Sequence, residues 1–457
     1  MVENTSVERI KEIRGRQERF FRSGVTLDVK WRLERLKAFE AAVRKWEKPL
    51  CEALWTDLHK SYEEAYLTEV SILLGEIRSH IHNIRKWSRS QRKATPLKMF
   101  PSRSKIISEP LGTALIISPW NYPVQLLLTP LVGAISSGCT AVLKPSPYVP
   151  NVSKVTRQMI EDTFSDEYVA VVQGNREVNT ALLEERWDLI FFTGSPALGR
   201  LVMGAAAKNL TPVILELGGK SPCIVDKDAD IKVAAKRIAW GKSLNAGQTC
   251  IAPDYLMIHE EIKDEFLKEL ETSFKELLGA DASTTGHFVR IVNDKAFDRL
   301  EGYLKDGRIT FGGHTDRDDR YFEPTVLDGV SPDAPVMREE IFGPIFPVQT
   351  FKDTDEVISF VTSREKPLAL YYFGSRGDYV LRHTSSGGAC INDTIMHIAN
   401  ENIPFGGVGN SGLGSYHFKR SFDAFTHYRA VVTTPIWLDL PFRYMPYKFF
   451  KAVKRLL

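Results

Sequence analysis

The chain has 457 residues, 43% apolar and 26% charged, which is enough to bury a core and to fill two or three domains. Its 60 basic and 57 acidic residues leave a net charge of +3, too small a surplus for a general nucleic-acid binder. Five scattered cysteines, Cys51, Cys139, Cys223, Cys250 and Cys390, form no C-x-x-C pair, which argues against a zinc cage or a disulfide framework and for a reducing, cytoplasmic setting. Met1 to Gln17 is charged and lacks the apolar core of a signal peptide. The longest apolar stretch, Pro123 to Ile135, contains Pro130 and Gly133 and is too short to span a bilayer.

In chain order, Leu33, Leu36, Phe39, Val43 and Trp46 recur at helical spacing, and helical patterning returns over Ser71 to Trp87. Near Ser108 the pattern changes. Short β-rich runs alternate with helical stretches: Thr113–Ser118, Thr140–Lys144, Tyr168–Val172, Leu189–Phe192 and Pro212–Leu217. Such alternation predicts βαβ units and a mostly parallel, doubly wound sheet. A second series follows, with Ser221–Val225, Tyr255–His259, a helix over Glu261–Leu278 stopped by Gly279, and Ala389–Asn392. It predicts a second α/β domain.

Beyond each strand of the first series lie turn-forming or chemically useful residues: Ser118-Pro119-Trp120-Asn121, Lys144-Pro145-Ser146, Gln173-Gly174-Asn175, Thr193-Gly194-Ser195 and Glu216-Leu217-Gly218-Gly219. Open parallel sheets bind ligands outside the carboxyl ends of their strands, so these five ends would line one crevice.

Gly194 to Gly199 follows a strand and opens a helix, with Pro196 suited to its first turn. That turn either receives a phosphate or is an ordinary strand-to-helix connection. Gly407-Val408-Gly409-Asn410-Ser411-Gly412 matches G-x-G-x-x-G but follows Pro404-Phe405 rather than a strand, and is expected to be a close-packed loop. Gly219-Lys220-Ser221 ends like a P-loop, but Ile214 stands where that motif needs glycine. Cys250 sits in a polar loop after the flexible pair Ala246-Gly247, where a thiolate could be exposed and reactive; Cys139, Cys223 and Cys51 read as small buried apolar residues. Glu216 ends the apolar run Val213-Ile214-Leu215. It is either a carboxyl with raised pKa, suited to general base work, or the partner of a lysine.

Taken together the stretches resemble the aldehyde dehydrogenase superfamily. The likeness runs from about Arg32 to Arg429, through Pro119-Trp120-Asn121-Tyr122-Pro123, Leu143-Lys144-Pro145-Ser146, Phe192-Thr193-Gly194-Ser195, Leu215-Glu216-Leu217-Gly218-Gly219-Lys220, Gly247-Gln248-Thr249-Cys250, Glu340-Ile341-Phe342-Gly343-Pro344 and Pro404-Phe405-Gly406-Gly407. The short N-terminus, Cys250 to Tyr255 and Val408 to Gly412 resemble the class 3 branch, which handles fatty and aromatic aldehydes, often takes either nicotinamide cofactor, and tends to form dimers. The resemblance implies a Rossmann-like cofactor domain (1–80 and 108–216), a catalytic domain (217–397), a small bridging and oligomerisation element (81–107 and 398–440) and a basic tail (441–457).

It implies Cys250 as nucleophile, with the Asn121 amide and the Cys250 backbone N–H on the oxyanion, and Glu216 as base for thioester hydrolysis. Lys144 would hold the adenosine ribose, Gly194, Ser195 and Gly199 would form the cofactor-side helix start, Glu340 and Phe342 would contact the nicotinamide ribose and ring, and Ser146, Pro119 and Trp120 would also bind the cofactor. Tyr122, Trp240, Leu244, Ile251 and Phe405, by their place near the motifs, would wall an apolar aldehyde pocket. No metal is implied. Pro147 stands where the family commonly has a glutamate for the ribose hydroxyls, so both NAD and NADP are expected to serve, with Lys144 and Arg200 available to a 2′-phosphate. In the tail, Phe449, Phe450, Val453 and Leu456 alternate with lysines and Arg455, which suits a helix packed on the protein or on a partner subunit, or one lying on a membrane surface. Two alternatives remain: transfer of the acyl group to coenzyme A, against which Glu216 argues, and a silent scaffold, against which Cys250, Asn121 and Glu216 together argue.

Overall fold

The computed structural model describes residues 3–456, with the side chains of Ala452, Val453 and Leu456 outside that description. A six-stranded sheet runs in the order Gly412–Leu413, Val213–Leu217, Leu189–Gly194, Thr113–Ile117, Thr140–Lys144, Val169–Val171. All its pairings are parallel except that of Gly412–Leu413, which lies antiparallel along Val213–Leu217. Its side chains alternate between two cores, as the two-residue period of a strand dictates. Leu115, Ile117, Val142, Ile190, Phe192, Leu215 and Leu217 pack on one face. Ala114, Ile116, Ala141, Leu143, Leu189 and Phe191 pack on the other, with the helices Val29–Leu58, Ser71–Trp87 and Gln125–Ser137. The strands expected at Tyr168–Val172 and Ala389–Asn392 are observed at Val169–Val171 and Gly388–Ile391, a difference of one residue at strand ends.

The second sheet has seven strands, in the order Arg308–Phe311, Thr325–Asp328, Ile345–Phe351, Tyr255–His259, Pro222–Val225, Ala369–Phe373, Gly388–Ile391. Only the first pair is antiparallel. Cys223, Val225, Leu256 and Ile258 face the helices Ile231–Ser243 and Lys263–Leu278, while Ile224, Tyr255 and Met257 face Asp294–Tyr303 and Thr354–Thr362. Both sheets are thus covered on both faces, which is why their strands read as near-continuous apolar runs. Gly279 ends the helix Lys263–Leu278 at a φ of +83°.

A third, three-stranded sheet pairs Gln91–Lys93, Arg103–Pro110 and Thr426–Thr433 antiparallel, with Thr426–Thr433 on its edge. The tail differs from the single amphipathic helix expected after Phe442. Pro446 breaks it, leaving the short turn Pro441–Arg443 and the helix Phe450–Leu456. Phe442, Tyr444, Met445, Tyr447, Phe449 and Phe450 are exposed on the single chain. Leu457 and the side chains of Val453 and Leu456 lie outside the described residues. Among the described residues no helix is long and apolar enough to cross a membrane.

Candidate active site

The nucleophile loop is built from an unusual backbone. Asn245, Ala246 and Gly247 have φ of +51°, +50° and +71°, three left-handed residues in a row. At Gly247 a Cβ would lie 2.4 Å from the Gly343 carbonyl oxygen, so only glycine fits. The pair Ala246-Gly247, expected to be flexible, is instead buried and fixed. Asn245 Nδ2 donates to the carbonyls of Asn121 (3.0 Å) and Gln248 (2.9 Å), and Gln248 Nε2 donates to the carbonyls of Asn245 and Arg290 (both 3.1 Å). Left-handed residues cost free energy in isolation, and here buried amide bonds on both sides of the turn hold them.

The Asn121 loop is tied to the same struts. Asn121 Nδ2 donates to the Gln248 carbonyl (3.0 Å), and its own carbonyl accepts from Lys60 Nζ (3.1 Å). Lys60 is fully buried and pairs with the fully buried Glu69 at 2.7 Å. The other Glu69 oxygen accepts the backbone N–H of Val124 (2.8 Å) and of Gln125 (3.3 Å). An ion pair within the N-terminal segment therefore anchors the backbone of the Asn121 loop at Asn121, Val124 and Gln125, while the Gln248 carbonyl holds the Asn121 amide. Tyr122 lies under the Lys60 ammonium (4.2 Å to its ring centroid) and bonds Thr249 Oγ1 at 2.6 Å.

A cleft of about 250 Å³ is lined by Pro119, Trp120, Asn121, Gly194, Ser195, Glu216, Cys250, Glu340 and Phe342. On the other side of Cys250 opens a largely apolar cavity of about 540 Å³ whose walls include Tyr122, Trp240, Leu244, Ile251 and Phe405. Cys250 and Leu126 line both. The thiol therefore stands at the junction of the cleft that holds Asn121, Glu216 and Glu340 and the apolar cavity. A wider cleft of about 710 Å³ continues outward past Ser195, Arg200, Gly218, Lys220 and Glu340.

The Cys250 thiol differs from the exposed thiolate expected of a polar loop. It is half-buried, and burial, followed by the charges of Glu340 and Glu216, pushes its pKa above the usual thiol range; the backbone N–H groups of Cys250 and Ile251 oppose that shift without cancelling it. Glu216 is buried, both its oxygens lack a protein partner, and burial raises its carboxyl well above the ordinary range. No lysine pairs with it among the described residues, which removes the salt-bridge alternative. Glu340 is pushed up to about 8, by burial first and then by Asp254, and its Oε1 has no partner.

Other residues sit as follows. Ser195 caps the helix Pro196–Ala207 through Oγ, which accepts from Leu198 N at 3.4 Å. A Cβ at Gly199 would meet Leu217 at 2.7 Å, so this glycine serves close packing of helix on strand. Lys144 is buried; its ammonium donates only to the Pro145 carbonyl (2.9 Å), and burial lowers its pKa to about 8. Lys144 and Ser146 lie outside the linings of these clefts. Arg200 is exposed and donates to Asn410 Oδ1 at 2.6 Å. Gly407 packs with its would-be Cβ 2.1 Å from the Ser411 carbonyl oxygen, the close-packed loop expected of that G-x-G-x-x-G stretch.

Sequence reasoning missed Lys60, Glu69, Asn245 and Gln248, because nothing in their local spacing distinguishes a buried, bonded charge or amide from an exposed one. It also missed Lys220 and Asp254. Lys220 Nζ is paired with Asp254 Oδ1 and donates to the carbonyls of Val336 (2.8 Å) and Glu339 (2.9 Å), while Asp254 Oδ2 accepts the Ile341 N–H (2.8 Å). The pair clamps both flanks of Glu340. At Gly218 a Cβ would lie 1.9 Å from a Glu340 oxygen, so a larger residue there would displace the Glu340 carboxyl.

Two doubly wound sheets meeting at a cysteine, an asparagine amide and two buried carboxyls define an oxidoreductase-like site with a thiol at its centre. Comparison with known proteins agrees. The model of the aldehyde dehydrogenase family matches residues 2–431. A 4,4'-diaponeurosporen-aldehyde dehydrogenase of Staphylococcus aureus is 46% identical over 441 residues, covering 95% of this chain and 96% of its own. A dimeric NADP-preferring aldehyde dehydrogenase of Canis lupus familiaris is 41% identical over 447 residues, 96% of this chain and 98% of its own. The solved substrate-bound state of Staphylococcus aureus AldH superposes with a TM-score of 0.96 at 44% identity, covering 98% of this chain and 99% of that one. The chain belongs to the aldehyde dehydrogenase family, whose members oxidise aldehydes with NAD or NADP.

Proposed function

We propose that the protein oxidises apolar aldehydes, aliphatic or aromatic, to carboxylic acids through a Cys250 thioester hydrolysed by water. The observation that carries this reading is the position of Cys250 between an apolar cavity of about 540 Å³ and the cleft that holds Glu216 and Asn121. The aldehyde chain lies in the cavity, and its carbonyl carbon meets Sγ. Once deprotonated, Sγ attacks that carbon to give a thiohemiacetal. The Asn121 amide, one of whose N–H groups bonds the Gln248 carbonyl, offers its second to the oxyanion beside the backbone N–H of Cys250.

The residues present fit a nicotinamide dinucleotide. Glu340 turns an orphaned buried oxygen into the cleft, Gly218 keeps a Cβ out of it, and the helix Pro196–Ala207 starts at its edge. Glu340, Phe342 and Trp120 would hold the nicotinamide end, Gly194 and Ser195 the phosphates, and Lys144 and Ser146 the adenosine ribose, with Gly199 keeping the helix close to its strand. The bound cofactor supplies a hydride acceptor. Glu216 then takes a proton from the water that attacks the thioester, releasing the acid and restoring the thiol.

The residue ranges 1–80 with 108–216, 217–397, and 81–107 with 398–440 are proposed as cofactor, catalytic and bridging parts. The last is supported by the three-stranded sheet of Arg103–Pro110 with Thr426–Thr433. The largely exposed, free edge of Thr426–Thr433 supports a homodimer formed by strand pairing. Free cysteines throughout support a cytoplasmic setting. The test is to mix the protein with a medium-chain aldehyde and NAD or NADP: a burst of reduced cofactor followed by steady acid production without coenzyme A is expected. A steady state that requires coenzyme A would reassign the acceptor.

A further inference from the structure

The apolar cavity beside Cys250 carries an acid that the mechanism does not use. Glu64 is half-buried in its wall, and its Oε1 accepts the backbone N–H of Asn245 at 2.7 Å, the first residue of the left-handed turn that leads to Cys250. The carboxyl is thus built into the nucleophile loop and shares the cavity with the thiol. We propose that Glu64 selects substrates by charge, admitting neutral aldehydes and rejecting those that carry an anionic group. This rests on the apolar-aldehyde reading and deepens it.

The groups around Glu64 leave it little compensation. Lys60 faces it, but gives its ammonium to Glu69 at 2.7 Å, and Glu69 itself adds negative charge. Glu63 and His287, on the same cavity, sit 3.9 Å apart and both are largely exposed, at the mouth rather than the inner wall. Tyr122 and Cys250 are buried or half-buried groups whose acidic forms are neutral. Burial raises the Glu64 carboxyl to about 7, against the pull of Lys60 and of the Asn245 N–H. Above that pH it is an anion in a largely apolar cavity, where a second negative charge meets little screening.

Rejection by like charge costs the wrong ligand far more than it costs the right one, and so discriminates without new attractive contacts. Folding constrains Glu64 as well. Its bond to Asn245 N explains why a costly carboxyl stands in an apolar wall, and any replacement must supply an acceptor there.

The test compares 4-carboxybenzaldehyde with 4-methylbenzaldehyde, which match in size and differ by one charge. The readout is the ratio of kcat/KM for the anionic to the neutral aldehyde, so that general effects on the enzyme divide out. In the unaltered protein the ratio is expected to be small at pH 8 and to rise on the order of tenfold by pH 6, as Glu64 takes up its proton while the substrate carboxylate stays charged. Glu64→Gln, which keeps an acceptor for Asn245 N, is expected to raise the ratio on the order of tenfold at pH 8 and to flatten its pH dependence. A ratio that is independent of pH in the unaltered protein, or unchanged in Glu64→Gln, overturns the proposal. Failure to oxidise 4-methylbenzaldehyde would instead overturn the apolar-substrate reading on which it rests.

Discussion

At the scale of single residues, the site is governed by burial more than by charge pairing. Glu216 has no partner for either oxygen, and burial holds its pKa well above the carboxylate range. A carboxyl with a raised pKa binds its proton more tightly in the folded chain than in the unfolded one. Its contribution to stability is therefore present at low pH and declines as pH rises from the ordinary carboxylate range toward the folded value. Glu216→Gln removes that slope. Thermal melts from roughly pH 5 to pH 8 should show the Tm of the variant gaining on that of the parent as pH rises; a difference that stays constant across the range contradicts the buried, unpaired carboxyl. Glu216 was legible in the sequence because an acid closing an apolar strand is conspicuous. The state of Cys250 was not, since the height of its pKa depends first on burial and then on Glu340, ninety residues away in the chain.

Cofactor choice is also set at this scale. Pro147 offers no carboxylate to the ribose hydroxyls, and among the described residues the Lys144 ammonium bonds the Pro145 carbonyl and no acidic side chain. Both favour tolerance of a 2′-phosphate. Kinetics with both cofactors at one saturating aldehyde concentration should show use of NADP as well as NAD, and Pro147→Glu should lower kcat/KM for NADP more than for NAD. A preference of the parent for NAD on the order of a hundredfold, about 2.7 kcal/mol, would remove Pro147 as the determinant.

At the scale of elements, the βαβ alternation was readable throughout the first sheet because both faces of each strand are buried, and the apolar runs end where the ligand-side turns begin. Gly279 and Pro196 marked helix ends for local reasons that need no tertiary information. The struts beneath the site were not readable. Lys60 and Glu69 reach the Asn121 loop only because the N-terminal segment packs against it, and Asn245 becomes a structural amide only once its turn is left-handed. Breaking a buried pair strands the remaining charge. Lys60→Met is therefore expected to cost about 3–5 kcal/mol in urea unfolding and to lower kcat as the Asn121 carbonyl loses one of its two donors. A loss below about 1 kcal/mol would mean that the pair contributes no more than a surface ion pair. The tail shows the opposite failure: its periodicity suggested one helix, and Pro446 divides it.

At the scale of the whole molecule, two covered sheets bring the cleft of Asn121 and Glu216 and an apolar cavity together at one thiol, and the clamp of Lys220 and Asp254 sets Glu340 on the far wall. The family likeness was legible because seven short motifs occur in order, although each alone is weak. What joins them is a division of labour in which Cys250 holds the acyl group and Glu216 activates the water that removes it. The most direct test is to mix Glu216→Gln with a medium-chain aldehyde and NADP, quench the reaction, and weigh the peptide that contains Cys250. The account predicts one burst of reduced cofactor per site, deacylation slowed by a factor on the order of 10²–10⁴, and a peptide heavier by one acyl group on Cys250. Reduced cofactor formed alongside an unmodified Cys250 would contradict it.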